Sequence, residues 1–173
     1  YIVGFCVAVC LVCSVLVSSA AVGLKARQER NKTLDRQKKV LAVAGLLGEG
    51  AAASPDEVRA LFEKRIRPVV VDLDAAAVTE DIDPASFDQQ KAKKDPARSE
   101  AAPKNPAGVK RVPNRALVYY VSKADMGPDG EGFELDQYIF PVEGKGLWST
   151  LYGFLALAPD GNEIRGLTFY QHA

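Results

Sequence analysis

The sequence predicts an α+β protein: one N-terminal transmembrane helix, then a domain in which helices cover an antiparallel sheet. Three observations carry this. Residues 1–24 contain no charged side chain. Residues 25–47 lack proline and are rich in helix formers. From Arg115 onward, short apolar runs alternate with Gly/Pro/Asp turns, the pattern of sequential hairpins.

As a helix, residues 1–24 span roughly 36 Å, enough to cross the hydrocarbon of a bilayer. Ser18-Ser19-Ala20-Ala21 supplies the small residues of a signal-peptide cleavage site. The uninterrupted apolar length exceeds a typical signal core, which favours an uncleaved anchor. Ser14, Ser18 and Ser19 can bond back to helix carbonyls or pack on neighbouring helices. Cys6, Cys10 and Cys13 fall near one helical face. They lack cluster-binding spacing, so they read as small apolar residues and no metal site is expected. The flank after the anchor carries Lys25, Arg27, Arg30, Lys32, Arg36, Lys38 and Lys39 against Glu29 and Asp35. The positive-inside rule would place it in the cytoplasm, but that rule compares two flanks and only one is present. The chain starts at Tyr1 within an apolar run and stops after a strand-like segment, so it reads as a fragment.

Residues 25–50 are expected to form a stalk helix. Leu34 is the only large apolar residue between positions 25 and 39, whereas Val40–Leu47 is dense enough in apolar residues to pack on a domain. Gly45, Gly48 and Gly50 are expected to stop the helix. The domain then occupies residues 51–173. Ser54-Pro55-Asp56-Glu57 forms a helix start, with Ser54 as N-cap and Glu57 completing a capping box. Val58, Leu61, Phe62 and Ile66 make an apolar stripe, Pro68 is expected to end the helix, and Val69–Leu73 reads as a strand.

Residues 74–114 form a polar excursion. It opens near an acidic group, Asp72, Asp74, Glu80, Asp81 and Asp83, and residues 91–115 carry eight basic side chains. Five prolines between Pro84 and Pro113 break it up, so it reads as a solvated, partly mobile segment. The formal net charge of zero argues neither for nor against nucleic acid, but no aromatics interleave with the basic run, which counts against single-stranded nucleic acid, and no nucleic-acid partner is expected. Strands follow at Ala116–Val121, Phe133–Val142, Leu151–Leu157 and Ile164–Gln171.

Gly144–Phe154 holds the only tryptophan, Trp148, and glycines at 144, 146 and 153. A flexible turn here delivers a large aromatic to the mouth of a strand. That suits a site for a flat apolar ligand, and equally a hairpin corner with Trp148 in the core. No Walker loop, dinucleotide fingerprint, Ser/His/Asp set or metal-ligand spacing accompanies it, and no catalytic residues are assigned.

Several stretches together resemble the C subunit of the Na⁺-translocating NADH:quinone reductase, a bacterial respiratory complex. They are Val17–Leu24, Leu34–Lys38, Phe87–Ala92, Ile139–Ser149 and Gly166–Tyr170. The Gly144-Lys-Gly-Leu-Trp-Ser149 block is shared in outline with the G subunit of the related Rnf electron-transport complex, the alternative within the superfamily. The resemblance implies a single-span subunit of the inner membrane carrying FMN on a periplasmic domain. Its partners would be the other subunits, and it would relay electrons towards quinone. It implies that Gly146, Leu147, Trp148, Ser149 and Thr150 line the flavin pocket. His172 falls next to a family loop, Glu-Thr-Pro-Gly-Leu-Gly, that these 173 residues do not contain. The family's Ser-Gly-Ala-Thr motif, whose threonine carries the flavin phosphate, is also not among them. A flavin-free, membrane-anchored assembly module is the other reading.

Overall fold

A computed structural model describes residues 1–48 and 52–171. The chain divides into two units, Tyr1–Arg36 and Gln37–Ala173. Helix α1 runs Ile2–Val43. Its part in the first unit exposes apolar side chains all round, among them Val3, Phe5, Leu11, Val15 and Leu16. It is the one described helix long and apolar enough to cross a membrane. Cys6, Cys10 and Cys13 are free and exposed on it.

The last turns of α1 belong to the second unit, where Val40 and Leu41 are fully buried. The helix ends in a Schellman motif. Leu46 N–H donates to the Leu41 carbonyl and Gly45 N–H to that of Ala42, both at 3.0 Å. Gly45 takes φ 71°, a left-handed conformation that strains any residue with a Cβ. Gly50 lies outside the described residues.

Helix α2, Pro55–Arg65, begins on the expected capping box. Ser54 Oγ accepts from Glu57 N–H at 3.3 Å, and Glu57 Oε2 accepts from Ser54 N–H at 2.8 Å. Replacing Ser54 with alanine is expected to cost about 1 kcal/mol. A lowered denaturant midpoint with an unchanged slope checks this. The helix stops at Arg65, before Pro68, because strand β1, Ile66–Asp72, starts at once. Pro68 lies within β1. Strand β2, Ala77–Thr79, reaches only Val70–Asp72, so the edge beside Pro68 carries no further strand and a missing N–H is tolerated there.

The polar excursion carries regular structure. It holds β2, helix α3 (Gln89–Lys94), and the strands β3 (Ser99–Ala101) and β4 (Arg111–Pro113), which pair as a ribbon. Asp88 caps α3, accepting from Gln90 N–H at 3.0 Å and Lys91 N–H at 3.1 Å. Gln89 Oε1 accepts from Leu117 N–H at 2.9 Å, which ties α3 to the main sheet. The segment reads as loop because its apolar content is low. Its elements are instead held by side-chain bonds to the backbone.

The remaining strands are β5 (Arg115–Ser122), β6 (Leu135–Lys145), β7 (Thr150–Leu157) and β8 (Ile164–Gln171). The main sheet has the order β2-β1-β5-β6-β7-β8 and every pairing is antiparallel. One face buries Val70, Tyr119, Val121, Ile139, Phe154 and Ala156. Phe62 of α2 lies edge-on to Tyr119 at 6.1 Å, and Tyr119 edge-on to Phe154 at 5.9 Å. Gln137, buried on the same face, donates from Nε2 to the Ala44 carbonyl at 2.9 Å, so the end of α1 is fastened to β6. The helices thus cover one face of the sheet, as expected.

Candidate functional site

The site is the hairpin that joins β6 to β7. Pairing runs to Lys145↔Thr150, so Gly144 lies inside a strand and the connection shrinks to Gly146–Ser149. Gly146 N–H donates to the Ser149 carbonyl at 2.8 Å and closes the turn. A Cβ at 146 would stand 2.8 Å from that oxygen and 2.9 Å from Leu151 Cγ, so only glycine fits. The turn pushes its two large side chains outward: Leu147 is 90% exposed and Trp148 84%. Trp148 is therefore not a core residue. The core at this end of the sheet is filled by Phe154, against which Tyr170 stacks at 4.8 Å.

Beside the hairpin lies a cleft of about 590 Å³, within the size range of small-molecule sites. Gly146, Leu147, Trp148, Ser149 and Thr150 all line it, with Tyr152 from β7. Its opposite side comes from the polar excursion: Gln90, Lys93 and Lys94 of α3, and Ala107–Arg111. Lys145 N–H donates to the Ala107 carbonyl at 2.7 Å and holds the two sides together. Lys93 Nζ forms a half-buried ion pair with Glu143 beneath the hairpin. Burial pushes the Lys93 ammonium below the ordinary lysine value.

The excursion residues were not expected at the site. The basic run that supplies them is visible in the sequence, but its contact with the hairpin is not. His172 lies outside the described residues. Among the described residues, no group of His, Cys, Asp and Glu could hold a metal.

The residues present fit a flavin mononucleotide. Trp148 and Leu147 offer an exposed apolar surface for a flat ring. The backbone of the turn and the Ser149 and Thr150 hydroxyls offer polar partners, and cations line the far side.

Together these features define an α+β domain with a ligand cleft, led by one helix long enough to cross a membrane. No family model matches the chain. It is 48% identical over 166 residues to the C subunit of the Na(+)-translocating NADH-quinone reductase of Pseudomonas aeruginosa, covering 95% of this chain and 60% of that protein. The corresponding protein of Yersinia pestis is 41% identical over 168 residues, covering 96% of this chain and 59% of that protein. The crystal structure of Shewanella oneidensis NqrC superposes with a TM-score of 0.68 at 31% identity, over 85% of this chain and 61% of that one. Over nearly its whole length this chain is a homologue of the C subunit of the Na(+)-translocating NADH-quinone reductase, and it spans about 60% of the length of these relatives.

Proposed function

We propose that this chain acts as a C-type subunit of a sodium-translocating NADH:quinone reductase, with FMN seated against the Trp148 hairpin. The observation that carries the reading is an exposed Leu147–Trp148 tip over a cleft, in a chain homologous to that subunit. Helix α1 anchors the domain in the bacterial inner membrane, the domain faces the periplasm, and the other subunits of the complex are its partners. Catalysis belongs to the complex, and we assign no acid, base or nucleophile set to the described residues. FMN, when bound, supplies one-electron redox chemistry. The protein's share is to bind and orient the ring and to shield one of its faces from water. Leu147 and Trp148 form the apolar wall for that purpose, and Ser149, Thr150 and the Gly146 backbone set the orientation.

In-gel flavin fluorescence tests this on the protein expressed from its whole gene and denatured. A fluorescent band at the protein's mass is expected, from FMN held covalently on a threonine outside these 173 residues. A dark band overturns covalent attachment and leaves a flavin-free assembly module.

A further inference from the structure

Helix α1 changes character between Leu24 and Lys25. Up to Leu24 it carries no charge and exposes apolar side chains all round. The next eight residues bring Lys25, Arg27, Arg30 and Lys32 against a single acid, Glu29, and all five side chains are exposed. Residues 25–39 hold seven of the chain's 22 basic side chains and two of its 22 acidic ones, so the rest of the chain is net acidic. A net charge of zero thus conceals a basic segment set directly on the end of the apolar span.

No protein group answers these four cations. The ion pairs among the described residues all fall between Asp56 and Arg165. Glu29 stands four residues after Lys25 and three before Lys32, the spacing of helical neighbours, and pairs with neither. At 3.6 residues per turn, Lys25 and Lys32 share one face of α1, and Arg27 and Arg30 project from the opposite one. The charges form a collar rather than a stripe. A protein groove reads one face of a helix, whereas a layer of lipid headgroups surrounds it. The heights agree as well. The apolar span of roughly 36 Å exceeds a hydrocarbon core of about 30 Å, so the collar begins in the headgroup layer. Lys25 to Lys32 rises roughly 10 Å, and the long lysine and arginine stems let their charged ends reach phosphates over that height.

We propose that Lys25, Arg27, Arg30 and Lys32 gather anionic lipid headgroups, such as those of phosphatidylglycerol, around α1 where it leaves the bilayer. This rests on the reading of α1 as a membrane anchor. The collar also fixes the depth of the helix. Sliding inward would carry charge into hydrocarbon, and sliding outward would expose Val22 and Leu24 to water and forfeit the phosphate contacts.

The test uses the 173-residue chain with Val22→Trp and Trp148→Phe, which leaves one tryptophan, inside the span and near the collar. The chain is reconstituted in phosphatidylcholine bilayers that contain brominated phosphatidylglycerol or brominated phosphatidylcholine as a minor component. Quenching of the tryptophan by each brominated lipid gives their relative association with the helix. Phosphatidylglycerol is expected to associate about fivefold more strongly. Raising the salt to about 0.5 M should remove most of that margin. Lys25→Gln with Lys32→Gln, and Arg27→Gln with Arg30→Gln, should each remove part of it, and the fourfold variant should remove all of it. Equal association of the two lipids, or a margin that survives the fourfold variant, overturns the collar and leaves the anchor standing. A margin lost wholly with one pair and untouched by the other overturns it too, because a one-sided face is what an acidic protein partner would fit. No quenching by either lipid overturns the membrane span and this inference with it.

Discussion

Replacing Phe154 with alanine should lower the stability of the domain by about 3–5 kcal/mol, the cost of removing a fully buried aromatic. Phe154 is 1% exposed and is the largest of the fully buried side chains. Its ring joins two parts of the core, edge-on to Tyr119 and stacked on Tyr170. The backbone around it is paired on both sides, to Pro141 of β6 and Thr168 of β8, so the surrounding strands cannot collapse into the space. Thermal or denaturant unfolding of the domain measures the loss. A change below about 1 kcal/mol would mean that the site relaxes, and would place the core elsewhere. A Phe154→Leu variant should recover most of the difference, because it refills most of the volume.

Replacing Trp148 with alanine should do the opposite. At 84% exposure its side chain adds little to the core, so stability should stay within about 0.5 kcal/mol. Flavin binding should fall by about 2 kcal/mol, roughly thirtyfold, as expected for an aromatic anchor in a binding site. The fluorescence of added FMN reports this, since the variant has no tryptophan. Trp148→Phe should retain most of the affinity through its smaller ring. Unchanged FMN affinity in the alanine variant would remove the hairpin from the flavin site. A large fall in stability would show that Trp148 supports the fold after all. The pair of variants thus separates two neighbours on one hairpin: Phe154 holds the sheet to its helices, and Trp148 faces outward.

Much of the architecture is legible from local chemistry. The Ser54–Glu57 capping box, the glycine stop at Gly45 and the alternation along β5 to β8 all appear where side-chain type and spacing place them. Each depends on a few residues near in sequence, where backbone sterics and short-range hydrogen bonds decide the outcome. The misjudged boundaries have local causes too. Pro68 reads as a helix stop, yet an edge without a neighbour lets it sit inside β1. The β6–β7 pairing continues through Gly144, which composition assigns to the turn.

The five residues of the Gly146–Thr150 turn are also visible in the sequence, as a glycine-flanked aromatic. Whether Trp148 points into the core or away from it is not. That depends on how far the two strands pair before the chain turns, and on Phe154 having already filled the core.

The sequence by itself determined the apolar N-terminal span, the helix start at Ser54–Glu57 and the stop at Gly45, the hairpin order of the last four strands and the turn that contains Leu147 and Trp148. These follow from contacts a few residues apart. Only the tertiary structure decided that the polar excursion forms the second wall of the cleft. Its contacts join residues far apart in the chain, such as Lys93 with Glu143, 50 positions away. Polar residues carry no periodic signal that would announce such a pairing, because what fixes them is hydrogen-bond and ion-pair geometry rather than burial. For that reason the basic run reads as solvated in the sequence and stands as one side of a binding cleft in the fold.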